Sequence, residues 1–395
     1  MKPSALILTD QDALLESSRQ ALQESWDIQP ARTLTEAREA IARTQYQVLL
    51  IDKQHAPPSG ETADAPLGVT EPPIPHVYIS NPKSKGKLEV HVTRNQVASP
   101  ESDTPQIKES FGEQIDHELL RQTLFSQDGL TALLPKIVKT PSRPGVYFRV
   151  VEELTNPEGT IDNIASMVNE DPIATARILR AANSTALGLR RRLGDANEAV
   201  MMLGGERVKD VILLSEVLSV IDQNKCIGFS PDDVWTHSIQ VGQLARKIML
   251  AETRHQASRD AAFTAGLLHD VGKVLLAVNV PGRYAKTLLF AKRKRIPLTE
   301  AEWEEFQITH ATLGCYLLES WDLPIRILEA IMWHHDADRY SAEPLTPGGA
   351  VFLANTLVRQ GNQEEDTSSP NSPLTAIKDT WGEDRLKAWQ ELLDD

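Results

Sequence analysis

The apolar pattern changes character once along this chain, and that change limits the fold more than any single motif. Over the first eighty residues, short apolar runs alternate with amphipathic segments. From residue 133 to about 359, apolar positions recur at helical spacing almost without a break. The first pattern specifies strand–helix units around a parallel sheet, and the second specifies packed helices. At 395 residues the chain is also long for one core, so the expected fold is multidomain. The divisions expected are an α/β domain over 1–125, an all-α domain over 126–360, and an acidic flexible segment with a short C-terminal helix over 361–395.

Within the first domain, Ala5 to Leu8, Val48 to Ile51 and Val77 to Ile79 read as core strands. Leu14, Leu15, Ala21 and Leu22 follow helical spacing, and Thr33 with Glu36 forms a capping box for a second helix through Ile41. Residues 56–75 and 98–105, rich in Pro, Gly and polar residues, read as loops, and Ile115 to Phe125 as the last helix. In open α/β sheets the carboxyl ends of the strands form the binding crevice. Asp10, Asp12, Asp52 and Ser80 are expected to gather there.

In the second domain, Asp171-Pro172 starts a helix with an N-cap and a first-turn proline. Residues 208–221, 241–250 and 261–276 are apolar enough to be interior helices. The last of these contains Gly266-Leu267-Leu268-His269-Asp270-Val271-Gly272-Lys273. An adjacent His-Asp pair offers a neutral nitrogen and an anionic oxygen to one divalent metal. His237, His310, His334 and His335 lie within reach of it in sequence, and with His269 they make up five of the ten histidines. Two simpler explanations stand beside a metal site. Lys273, three residues after Asp270, compensates its charge in a helical ion pair, and His237 is a structural histidine at the start of an apolar helix.

Composition removes several function classes. A net charge of −14 and a pI near 5.3 oppose nonspecific attraction to nucleic acid or anionic lipid. Runs such as Arg190 to Arg192 and Lys292 to Arg295 read as solvated helix ends. No helix-turn-helix or basic face is visible, so direct nucleic-acid binding is not expected. No window approaches the roughly 18 uninterrupted apolar residues of a membrane span, and the N-terminus lacks the features of a secretory signal. The expected location is the cytoplasm, with Cys226 and Cys315 reduced and inert.

The first domain resembles a response-regulator receiver, a flavodoxin-like fold, over roughly residues 4–125. Leu6 to Asp12 looks like the acidic first loop, Asp52 like the phosphoacceptor and Ser80 like the switch hydroxyl. The resemblance implies a magnesium ion only if the receiver is functional, and a histidine kinase upstream. Two departures point to a degenerate receiver: Gln11 follows Asp10 where the family has a second acid, and no lysine ends a fifth strand, since Lys83 to Lys87 come too early.

The second domain resembles the HDOD family, the regulatory relatives of HD-superfamily phosphohydrolases, over about 200 residues. The resemblance rests on the order and spacing of Leu134-Pro135, Asp171-Pro172, Asn183-Ser184, Leu203-Gly204, the His-Asp segment, His310 to Gly314, Trp321, Leu323-Pro324 and His334-His335. It implies that His237, His269 and Asp270 hold one divalent metal, with Asn355 where catalytic relatives carry an acid. It also implies that His310 with His334 or His335 holds a second, and that Lys273 meets a substrate phosphate if the site hydrolyses. The expected function is a non-enzymatic signalling output acting on an unidentified downstream protein, with self-association admitted. The alternative is a metal-dependent phosphohydrolase acting on a nucleotide or cyclic dinucleotide.

Overall fold

The computed structural model describes residues 4–22, 26–44, 46, 48–52, 76–80, 89–91, 111–141, 145–184, 192–222, 225–340, 344–361 and 373–394. The expected loops at 56–75 and 98–105, the lysines at 83–87, Arg190, Arg191 and the acidic residues at 364–366 lie outside the described residues. The chain divides into two units, Met1–Ser126 and Gln127–Asp395.

The first unit runs β1 (Ser4–Leu8), α1 (Asp12–Leu22), β2 (Asp27–Ala31), α2 (Leu34–Arg43), β3 (Val48–Asp52), β4 (His76–Ser80), β5 (Glu89–His91) and α3 (Phe111–Phe125). Its sheet has the order β2-β1-β3-β4-β5. The first four strands are parallel and β5 is antiparallel to β4. Alternate residues of a strand face opposite sides, and the core divides accordingly. Ala5, Ile7, Val48 and Leu50 pack with Leu14 and Ile115, whereas Leu6, Leu8, Leu49 and Ile51 pack with Ala37 and Tyr46. The capping box forms as expected at Thr33, whose hydroxyl accepts from Glu36 N at 3.2 Å, but the Glu36 carboxylate reaches back to Arg32 N. Strands β2 and β5 are additions to the sequence reading. β2 pairs with β1 alone, and an edge strand tolerates the Pro30 and polar residues that hide it in sequence.

The described residues of the second unit form helices joined by turns. The unit begins with α4 (Asp128–Leu133), a 3-10 turn at Leu134–Lys136, α5 (Gly145–Thr155), α6 (Ile161–Asn169), α7 (Pro172–Ala182), α8 (Ala196–Leu203) and α9 (Gly205–Ser219). There follow α10 (Pro231–Glu252), α11 (Gln256–Leu268), α12 (Val271–Asn279), α13 (Pro281–Lys294), α14 (Leu298–Phe306), α15 (His310–Glu319) and α16 (Ile325–Met332). A 3-10 turn at Ala337–Tyr340 then leads to α17 (Pro347–Gly361), α18 (Pro373–Trp381) and α19 (Glu383–Asp394).

Asp171 caps α7 through Ile173 N and Ala174 N, as its sequence position predicts. Asn183 ends α7 and accepts from Leu193 N at 2.7 Å, a purely structural task. The centre of the unit is α10 against α11, with α16 and α17 packed on α11 and α15 on α12. α10 and α11 approach to backbone contact at two glycines: a Cβ on Gly266 would lie 2.8 Å from the Gly242 Cα. The C-terminal helices belong to this unit. Trp389 is buried and donates to Glu252 at the end of α10, which also pairs with Arg385.

One expected element is corrected. The apolar stretch 261–276 is not a single helix, because the chain breaks at His269-Asp270 between α11 and α12. Residues Gln256–Asn279 have the length and average apolar character of a membrane span, though with no long uninterrupted apolar run, and 83% of their most apolar stretch is buried inside the unit. That burial, and the break with its two polar residues, mark a core segment of a helical domain.

Candidate metal centre

The break between α11 and α12 delivers the His-Asp pair to the middle of the second unit. His269 is fully buried and Asp270 is 2% exposed. Four other elements add to them. His237 comes from α10, Asn355 from α17, His310 from the first position of α15, and His334 and His335 from the turn after α16. All seven residues expected as metal ligands therefore converge.

Asp270 sits between two groups. Its Oδ2 lies 3.4 Å from His269 Nε2 and 3.8 Å from His237 Nε2, while its Oδ1 lies 3.3 Å from His310 Nε2 and 3.9 Å from His334 Nε2. His237, His269 and Asp270 form one set, and His310, His334 and His335 another, each with its ligand atoms within 4.8 Å of one another. The second set is closely drawn in, with His310 Nε2 3.4 Å from His334 Nε2 and 3.1 Å from His335 Nε2.

The imidazoles are oriented from behind. Nδ1–H of His269 donates to the Gly266 carbonyl at 2.7 Å, and that of His334 to the Ile331 carbonyl at 2.7 Å. A carbonyl accepts only, so the proton is fixed on Nδ1 and Nε2 presents a bare lone pair to the cluster. His310 is held by the buried Glu302, whose Oε2 lies 2.6 Å from Nδ1. Among the described residues the buried His269 Nε2 has no hydrogen-bond partner, a costly state for a polar atom unless something else binds it.

The electrostatics keep His237, His334 and His335 neutral around one anion. Burial pushes His237 down to about 3 despite the attraction of Asp270. Burial and the neighbouring imidazoles hold His334 and His335 well below the ordinary histidine range. Burial also opposes charge on Asp270, but His269, Lys273 and hydrogen bonds outweigh it and keep the carboxyl ionised well below its usual range. For His310 burial again opposes charge, and the Glu302 carboxylate reverses the balance, raising it. His237, His334 and His335, held neutral, with a shared carboxylate make a donor set for a divalent metal of intermediate softness, and the buried lone pair of His269 Nε2 fits such an ion.

Two expectations are refined. Lys273 donates to Asp270 Oδ2 at 2.6 Å, so the ion pair weighed as an alternative to a metal site exists within the cluster. His237 Nε2 lies 3.0 Å from Asn355 Oδ1, so the residue expected at the acid's position does touch the first ligand. Glu302 was not singled out in sequence. Nothing in sequence sets it apart from the neighbouring Glu300, Glu304 and Glu305, which are exposed, and its complete burial comes from the packing of α14.

In the first unit Asp52 and Ser80 end the parallel strands β3 and β4, Asp10 follows the end of β1, and Asp12 opens α1. Asp52 is 1% exposed and accepts from Thr9 Oγ1 at 2.9 Å and Gln11 Nε2 at 3.0 Å. Asp12 points to Arg32 at 2.5 Å with its side chain 79% exposed, and Asp10 is exposed. Ser80 ends β4, one residue beyond the partner of Asp52, with its side chain outside the described residues.

Comparison with known proteins places the helical unit. An HDOD domain protein of unknown function from Geobacter sulfurreducens superposes with a TM-score of 0.51 at 20% identity, covering 71% of this chain and 98% of that one. A "Putative phosphohydrolase" from Shewanella amazonensis SB2B gives 0.50 at 23%, covering 67% and 93%. A "Putative signal transduction protein" from Marinobacter aquaeolei VT8 gives 0.51 at 21%, covering 72% and 63%. At these identities the likeness is one of fold. An uncharacterised protein of Treponema pallidum (strain Nichols) is 22% identical over 231 residues, 58% of this chain and 44% of that protein, so the chain spans less than half of that relative. The HDOD domain family model matches residues 140–337, from α5 through the histidine cluster, and the chain belongs to the HDOD domain family.

Proposed function

We propose that this chain is a cytoplasmic signal-transduction protein whose helical unit holds a divalent metal at Asp270 and acts as a regulatory output rather than by turnover. The observation that carries this reading is the contact of His237 Nε2 with Asn355 Oδ1 at 3.0 Å. An amide brings no negative charge, and whichever way it is oriented it ties up His237 Nε2. The remaining donors hold an ion well but leave it fewer anionic partners than hydrolysis of a charged phosphoester favours.

The α/β unit supports the same reading as a receiver-like input. Thr9 and Gln11 are among the hydrogen-bond donors to Asp52, and Gln11, standing where the receiver family has a second acid, brings no charge for a magnesium ion. Input then comes by docking of a signalling protein rather than by phosphoryl transfer from a histidine kinase. For the signal to pass, its ligand must favour one arrangement of the protein over another.

The second reading, a metal-dependent phosphohydrolase acting on a nucleotide or cyclic dinucleotide, is favoured by the position of Asp270 between two histidine sets. A bound metal supplies an activated water in such sites. His237 and Lys273, with side chains 16% and 20% exposed, form the open side of the cluster, and Lys273 would meet a substrate phosphate there.

The test is elemental analysis of the full chain, Asp270→Ala and Asn355→Asp, each then assayed against phosphoesters and cyclic dinucleotides. The expected result is metal in the wild type, its loss in Asp270→Ala, and no turnover by the wild type. Turnover that disappears in Asp270→Ala would replace this reading with the hydrolase. Absence of metal from the wild type would remove the ion from both readings.

A further inference from the structure

We infer that Glu302 is a positioning residue of the centre, acting on His310 from behind, and that Tyr284 holds Glu302 in place. The inference rests on the metal-holding reading proposed above. Glu302 on α14 and Tyr284 on α13 are both fully buried, and His310 is 1% exposed. A carboxylate taken wholly out of water is costly unless donors surround it. Three converge on Glu302: His310 N at 2.9 Å and His310 Nδ1 at 2.6 Å on Oε2, and the Tyr284 hydroxyl at 3.2 Å on Oε1.

The geometry sets His310 apart from its neighbours. His269 and His334 lean on neutral backbone carbonyls, whereas His310 leans on a carboxylate. A negative charge behind Nδ1 makes the opposite nitrogen a stronger donor to a metal. That nitrogen, Nε2, is the one 3.1 Å from His335 Nε2, 3.4 Å from His334 Nε2 and 3.3 Å from Asp270 Oδ1. Glu302 also accepts from the His310 backbone at the start of α15, which fixes the position of the ring as well as its rotation. Tyr284, on a third helix, closes the remaining oxygen and keeps the carboxylate from turning away. Among the described residues the hydrogen bonds of Glu302 run to His310 and Tyr284, so its effect on the centre passes through His310.

The test uses the full chain with cobalt(II) and zinc(II) as probes, dissociation constants taken by competition with a chromogenic chelator, and Asp270→Ala as the reference for a lost site. Glu302→Gln keeps the volume and removes the charge. It is expected to raise the dissociation constant by about 10- to 100-fold and to shift the visible absorption of bound cobalt. Tyr284→Phe leaves Glu302 intact and provides the second variant should Glu302→Gln fail to fold, with a rise of a few-fold expected. A merely structural Glu302 would lower the melting temperature of the metal-free protein and leave affinity and the cobalt spectrum unchanged, and that result would overturn the inference alone. Wild-type chain that takes up no more cobalt than Asp270→Ala would overturn the metal-holding reading, and this inference with it.

Discussion

Single side chains in this protein are legible in sequence when their chemistry is independent of where they lie, and illegible when burial gives them their role. His237, His269, Asp270, His310, His334 and His335 announce themselves as donors wherever they fall. Glu302 and Asp210 do not, because helix phase and packing alone take them out of water. Asp210 on α9 is 2% exposed and accepts from Thr264 Oγ1 on α11 at 2.6 Å. Burial raises it to about 6 from 3.8; Lys209 and Thr264 pull it back down, while Glu206 and Asp260 push it further up. Between about pH 4 and 6 the folded protein therefore holds a proton that the unfolded chain has released. Stability falls as pH rises through that window and stays lower above it, by about 3 kcal/mol at most. Asp210→Asn removes the charge and keeps an acceptor for Thr264. Denaturant unfolding is expected to show the variant about 1–3 kcal/mol more stable than wild type at pH 8 and equal to it at pH 4. An identical difference at both pH values would mean that ionisation of Asp210 is not its source.

At the scale of elements, periodicity finds a helix but not the point where it stops. Residues 261–276 read as one interior helix because ten of sixteen positions are apolar, yet the two polar residues at 269–270 are where α11 ends and α12 begins. The second helix is then free to run against α15, and it does so at backbone contact. A Cβ on Gly272 would lie 1.9 Å from the His310 carbonyl oxygen and 2.7 Å from Gly314 N. Only a residue without a side chain permits this approach, which carries His310 up to Asp270. Backbone atoms cannot move aside as a flexible side chain can, so Gly272→Ala must separate α12 from α15. The expected loss is about 1–3 kcal/mol, read as a lower denaturant midpoint. Weaker cobalt binding should accompany it, since the displaced element begins with His310. Unchanged affinity at reduced stability would show that the helices part elsewhere along their length.

For the molecule as a whole, the change in apolar pattern near residue 130 corresponds to a division of the structure at 126 and 127. The sheet unit has its own core on both faces. The helical unit contains every side chain of the histidine cluster, from His237 to Asn355, and the residues that orient them, Tyr284 and Glu302 among these. What sequence did not reveal is how far the helical unit extends. The short C-terminal helix expected within 361–395 forms as α19, but nothing in the sequence ties it to the helical unit, where it brings Trp389 to 1% exposure and, with Arg385, binds Glu252 at the end of α10. A fragment spanning 127–395 is therefore expected to fold cooperatively and to bind cobalt within a few-fold of the full chain. Ending the fragment at residue 361 removes that buried indole, which in other cores is worth about 3–5 kcal/mol, and leaves the Glu252 carboxylate without its two partners. The shortened fragment should melt well below the longer one and bind metal more weakly, because α10 also carries His237. Equal melting of the two fragments would show that the C-terminal helices are an appendage and that the helical domain is complete at α17.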